Sequence, residues 1–230
     1  MTASADSRAL DLPGLTLAID SATEACSVAL FRDGELIAGD YRMLGRGHAE
    51  ALVPMIAALP DRGRAARIAV ALGPGSFTGV RVGLAAARAL ALAWGAEVLG
   101  YPTMALIAAM ARNERGKVPV AVAMTGGHGE WFTEGFDGIG AVTRPLASMR
   151  PDAAAAASAE TVVAGTQAEA LVAARGTGEA FAIWPDARRL ALLPADALTH
   201  EAHPLYGRAP DAKPMAAATT IPAETIPGAR

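Results

Sequence analysis

Two segments of this sequence, one of them rich in glycine, hold the residue types that handle phosphate. The first is Gly73-Pro74-Gly75-Ser76-Phe77-Thr78-Gly79, which follows an apolar run and precedes a stretch of small residues. Gly73 and Gly75 accept backbone angles closed to other residues, Pro74 fixes one φ, and Ser76 or Thr78 can cap a helix starting near Gly79. Strand, glycine turn and helix start in that order aim free N–H groups and the positive helix end at one point, which suits an anion. A purely structural turn accounts for the same residues, because the phosphate-loop motif requires lysine after its last glycine and Val80 stands there. A hydrolase elbow needs glycines two before and two after its nucleophile, whereas Ser76 has Pro74 and Thr78 there. The second segment, Asp20-Ser21-Ala22-Thr23, supplies a carboxylate that could manage magnesium and hydroxyls that could meet phosphate. Thr125-Gly126-Gly127 is the loop candidate to face it from the second half of the chain.

The remaining reactive side chains point elsewhere. His200-Glu201-Ala202-His203 has one residue too few between Glu and the second His for a zincin helix, and Pro204 ends any helix there. His48 opens a helical segment and His128 sits in a glycine-rich turn, positions suited to capping or surface roles. Cys26 is alone, so it forms no internal disulfide and builds no thiolate site, as expected of a reducing compartment. A net charge of −3 argues against a basic surface over the whole protein, although Arg42, Arg46, Arg62, Arg64 and Arg67 make the first third locally basic. No segment reaches the ~20 uninterrupted apolar residues of a membrane span, so the expected location is the cytosol.

The elements that must position these residues follow from periodicity. In a chain of 230 residues, 52% hydrophobic, there is material for one domain or two small ones. Strands are predicted over 15–19, 26–31 and 35–39, with Asp33-Gly34 as the tight turn between the last two. A helix follows over 48–59, where Leu52, Met55, Ile56 and Leu59 share one face and Pro54 removes a backbone bond. Strand 67–72, helix 79–94 and strand 97–100 complete a βββαβαβα order, the order of a ribonuclease-H-like lobe with helices covering a mixed sheet. A degraded second copy is predicted from strands at 118–124, 130–136, 139–146 and 161–164, with alanine-rich helix signals from Pro151. The expected organisation is a flexible start over 1–14, a first lobe over 15–106, a smaller second lobe over 107–213 and a mobile tail over 214–230.

Helix 79–94 is apolar nearly all round. Val80, Leu84, Ala87, Ala91 and Trp94 form one stripe, and Val82, Ala86, Ala89 and Ala93 form another. Its own sheet covers only one of them. Gly79, Gly83, Ala87 and Ala91 recur every four residues, a ridge along which another helix could approach closely. A protein partner is therefore expected on this helix and on helix 48–59, at Leu52, Met55, Ile56, Gly79, Val82, Gly83, Ala86 and Ala87.

Several segments together resemble a known family: Leu17-Ala18-Ile19-Asp20-Ser21, Cys26-Ser27-Val28-Ala29-Leu30, His48-Ala49-Glu50, Leu52-Val53-Pro54-Met55-Ile56, the run from Gly73 to Leu84, and Pro204-Leu205-Tyr206-Gly207-Arg208. They are similar to the TsaB (YeaZ) family. The resemblance implies two ribonuclease-H-like lobes of the actin-like ATPase superfold, in a non-catalytic subunit. That subunit supports threonylcarbamoyl modification of the adenosine beside the anticodon in tRNAs reading ANN codons. It implies pairing with the catalytic paralogue TsaD through first-lobe helices, and with the ATPase TsaE. A homodimer is expected when the chain is alone, with tRNA met only indirectly and no membrane. No cofactor of its own is implied, with room for ATP or ADP where partners meet. The paralogue's paired metal histidines are lacking at Tyr101-Pro102-Thr103-Met104-Ala105-Leu106, and Thr125-Gly126-Gly127 replaces the family's usual Asp-Ala-Arg. The alternative is an independent actin-like phosphotransferase using Asp20 and residues 73–78.

Overall fold

The computed structural model describes residues 13–207. The expected start over 1–14 falls mostly outside them, and the expected tail over 214–230 falls wholly outside. Strands β1 (Leu15–Asp20), β2 (Ala25–Arg32) and β3 (Glu35–Met43) form an antiparallel meander. Asp33 and Gly34 both take positive φ, 50° and 83°, as a two-residue hairpin turn that follows the sheet's twist requires. Helix α1 (His48–Ala57), strand β4 (Arg67–Ala71), helix α2 (Phe77–Trp94), strand β5 (Glu97–Tyr101) and helix α3 (Thr103–Arg115) follow. β4 lies parallel to β1 and β5 parallel to β4, which gives the sheet order β3-β2-β1-β4-β5. β1 and β4 are covered on both faces, which is why both read as continuous apolar runs.

The second lobe repeats the plan with β6 (Val120–Thr125), β7 (Trp131–Phe136), β8 (Val142–Met149), helix α4 (Pro151–Ala157), β9 (Val162–Ala164), helix α5 (Ala168–Arg175) and β10 (Glu179–Phe181). Its sheet order, β10-β9-β6-β7-β8, is that of the first lobe read from the other edge, with the same antiparallel and parallel pairings. Two ribonuclease-H-like lobes are thus present, as the βββαβαβα pattern predicts.

Helix α3 belongs to both lobes. Leu106 and Ala109 enter the core of the first lobe, while Met104, Ile107, Ala108 and Ala111 enter that of the second. The expected boundary at 107–213 is corrected at its far end. After β10 the chain returns to the first lobe, where the short helical turn Ala187–Leu192 and the residue after it bury Ala187, Leu190 and Leu193 in the first core. The Ala187 N–H donates to Ser27 Oγ at 2.8 Å. Residues 199–207 then cross the C-terminal ends of β4 and β5, where Thr199 and Gly100 exchange two backbone hydrogen bonds of 2.7 and 2.9 Å. Helical spacing of apolar residues could not reveal this return, because the six-residue turn is too short to be periodic.

Candidate functional site

The chemistry-bearing loops meet at a cleft of about 1080 Å³ between the lobes. The β1–β2 turn, the loops before α1 and α2, the Thr125–His128 turn, Thr166 and residues 204–207 line it. The glycine loop before α2 is closed onto the β1–β2 turn. Ser76 donates its N–H to the Ala22 carbonyl at 2.7 Å, and a Cβ on Gly75 would overlap that carbonyl. Ser76 Oγ accepts the Gly79 N–H at 3.1 Å, so α2 begins at Phe77, two residues before the predicted start. Two of the N–H groups that could have met an anion are thereby used within the chain.

Asp20 does not face the cleft. It is 1% exposed, its Oδ1 accepts the Ala22 N–H at 3.0 Å, and its Oδ2 accepts from the Tyr101 hydroxyl at 3.2 Å. Burial pushes its pKa up from 3.8 to about 7, opposed by the Ala22 and Tyr101 hydrogen bonds and assisted by nearby Asp186. Tyr101, absent from the sequence-based candidates, occupies the space in front of the carboxylate on which a magnesium role would depend. Its signal was an aromatic with a polar tip at the end of an otherwise aliphatic strand. In the second lobe, Thr125 donates its N–H to Thr166 Oγ1 at 2.9 Å and its hydroxyl accepts from Gln167 Nε2 at 2.9 Å. His48 is nearly buried, with Nε2 3.3 Å from the Ala25 carbonyl. His200 pairs with Glu97, Nδ1 to Oε1 at 3.1 Å, rather than with His203. Burial raises the Cys26 thiol pKa to about 12, so the only thiol in the sequence is a packing group.

The residues expected at a partner face divide in two, and most of them are corrected. Leu52, Met55 and Ile56 point into the first core, as do Gly79, Gly83 and Ala87. The glycine ridge of α2 lets the helix close on its own β1, not on a neighbour: Ser21 Oγ donates to the Gly79 carbonyl at 2.9 Å, and a Cβ on Gly83 would stand 2.5 Å from Ser21 Oγ. Val82 and Ala86 lie at the edge of this buried strip, partly exposed. The open side of α2 carries Ala85, Ala89, Leu92 and Ala93 together with exposed Arg88, and Leu92 is 89% exposed. Val53 on α1 is 55% exposed, and Phe77, at the start of α2, is 69% exposed. Ala89 and Ala93 were visible as part of a second apolar stripe. What the periodicity left undecided was which stripe the sheet would take.

α2 has 18 residues with a mean hydropathy of 1.2, long and apolar enough on those two counts to cross a membrane. Its inner face is nonetheless occupied by the sheet, and its two arginines are bound to the C-terminal segment: Arg81 Nη2 to the Tyr206 hydroxyl at 2.6 Å and Arg88 Nη2 to the Ala202 carbonyl at 2.7 Å.

Duplicated mixed sheets sharing a helix and enclosing a cleft define a two-lobed α/β protein of the actin-like kind. A family model described as "TsaD: tRNA N6-adenosine threonylcarbamoyltransferase" matches residues 42–183. The chain is 38% identical over 121 residues to the Escherichia coli "tRNA threonylcarbamoyladenosine biosynthesis protein TsaB", covering 50% of this chain and 52% of that protein. It thus spans about half the length of that relative. An uncharacterized protein of Mycobacterium tuberculosis is 32% identical over 212 residues, covering 88% of this chain and 96% of its own length. Among solved structures, YeaZ from Pseudomonas aeruginosa superposes with a TM-score of 0.69 at 28% identity, over 84% of this chain and 99% of that one. The chain belongs to the TsaB/YeaZ family.

Proposed function

We propose that the chain is a non-catalytic docking subunit in tRNA threonylcarbamoyladenosine biosynthesis, which activates a TsaD-like catalytic paralogue by pairing with it through the open side of α1 and α2. The observation that carries this reading is that open side. Leu92, Ala85, Ala89 and Ala93 are exposed apolar and small side chains on one side of α2, whose 18 residues average 1.2 in hydropathy, and Val53 is exposed on α1. A large exposed apolar strip marks an interaction surface, and small residues along a helix allow close helix contact. The Escherichia coli and Bacillus subtilis relatives are named for tRNA threonylcarbamoyladenosine biosynthesis, which supplies the process. The same surface would pair two copies of the chain when the paralogue is absent. The further members of the assembly are a TsaE-like ATPase and a tRNA held by the paralogue, all in the cytoplasm. ATP or ADP would be held where the cleft meets the partner, since Phe77 and Val82 border both the cleft and the open side of α2.

The phosphotransferase alternative draws support from the cleft itself, but its carboxylate is turned away and held by Tyr101, and its glycine loop is closed on Ala22. Co-expression with the tagged paralogue tests the reading. Leu92→Glu is expected to reduce co-purification at least about tenfold, as when a buried interface residue is replaced by a charge, with an unchanged circular dichroism melt. Full retention of the paralogue by Leu92→Glu would reject this face.

A further inference from the structure

We infer that residues 199–207 are a latch that holds the two lobes at a set separation and ties that separation to the first turns of α2. Without them the described lobes are joined by the chain at two places on one side, α3 and the return through residues 182–186. Both leave the cleft mouth free to widen. The segment closes that mouth. It is fastened to the first lobe by the Thr199–Gly100 pair of hydrogen bonds and by the Leu205 N–H donating to the Leu72 carbonyl at 2.8 Å. Its far end rests on the second lobe, where the Gly207 backbone lies against the ring of Phe132, a member of the second core. A Cβ on Gly207 would overlap that ring. One short segment therefore touches the carbonyl ends of the first sheet and the core aromatic of the second, across a cleft that residues 204–207 themselves line.

The latch also holds α2. Arg81 donates to the Tyr206 hydroxyl and, through Nη1, to the Phe77 carbonyl at 2.9 Å, and its guanidinium stacks 3.2 Å from the centroid of the Phe77 ring. Arg88 reaches the Ala202 carbonyl one helical stretch further on. Since Phe77 stands at the edge of the open face of α2, displacement of Tyr206 unties the Arg81–Phe77 pair from the segment and loosens the ring that borders both cleft and face. Lobe separation and the shape of the cleft-side end of the docking face then change together. This link to docking rests on the proposed function, whereas the latch itself does not.

Spin labels on Glu35→Cys and Glu169→Cys, one exposed site on each lobe, report the separation without any partner, because buried Cys26 does not compete for the label. The intact chain is expected to give one narrow distance distribution. Gly207→Val, which unseats the segment from Phe132 and leaves its bonds to the first lobe untouched, is expected to broaden and lengthen it. Tyr206→Phe, which removes only the Arg81 bond, is expected to leave the distances unchanged and to speed amide exchange in the first turns of α2 about fivefold, the worth of roughly one net hydrogen bond. A narrow, unshifted distribution for folded Gly207→Val would overturn the latch. Unchanged exchange in Tyr206→Phe would overturn its link to α2. Leu92→Glu serves as the separating control: it tests docking and leaves the label distances alone, so a failed docking reading and a failed latch give different results.

Discussion

The two lobes share one strand order and differ in what crosses between their strands. In the first, β4 and β5 have five residues each and the helices beside them have 10 and 18. In the second, β9 and β10 have three residues each, and α4 and α5 have seven and eight. Short crossovers let α4 and α5 pack on one another and on a small sheet, with Ala154, Ala168 and Leu171 filling a compact satellite core. The long α2 overruns the surface its sheet can cover, so one side of it, apolar but for Arg88, stays open. The same topology is thereby a closed lobe at one end and, at the other, a lobe with one helix side left uncovered, and helix length makes the difference.

The largest expected effect separates the lobes by their tolerance of bulk. Gly83→Leu forces a side chain against Ser21 and Val70 beneath α2 and should cost roughly 3 kcal/mol or more. Ala173→Leu, on the exposed side of α5, should stay within about 0.5 kcal/mol. Urea unfolding of both variants checks this, and equal costs would erase the contrast.

A second contrast lies at the ends of the central strands, Asp20 in the first lobe and exposed Thr125 in the second. The folded Asp20 carboxyl titrates near about 7 against an ordinary 3.8, so between these values the folded state keeps a proton that the unfolded state has lost. Stability therefore falls as pH rises through this window, by up to about 4 kcal/mol from this group. Asp20→Asn should remove that part of the slope, leaving the smaller slope of the same sign from Glu134, whose burial raises it to about 7 in the second lobe. Unfolding midpoints between about pH 4 and about pH 8 measure it. Parallel curves for the two proteins would exclude a neutral Asp20. A smaller effect than that of Asp20 is expected from Ser76→Ala, which removes the cap of α2 at a cost of about 1 kcal/mol and should weaken the first lobe alone.

Much of this was legible in the residues. Asp33-Gly34 announced its hairpin, and the apolar runs of β1 and β4 announced buried strands, because local turn chemistry and two-sided burial leave marks on adjacent residues. The glycine motif was legible as a close approach, but its partner was not: the spacing of Gly79, Gly83 and Ala87 shows that something comes near without saying whether it is a strand below or a helix beside. Tyr101 meeting Asp20, and Leu205 meeting Leu72, pair residues 81 and 133 positions apart in the sequence. Only the folded topology brings them together.

The central claim is that the open side of α2, and not the second lobe, receives the catalytic paralogue. Cysteine footprinting compares the two directly, since buried Cys26, its thiol pushed up to about 12, stays silent. Leu92→Cys and Ala173→Cys should alkylate at similar rates in the isolated chain at concentrations too low for self-pairing. On addition of the paralogue, Leu92→Cys is expected to become protected while Ala173→Cys keeps its rate. Protection of Ala173→Cys with Leu92→Cys still reactive would contradict the account.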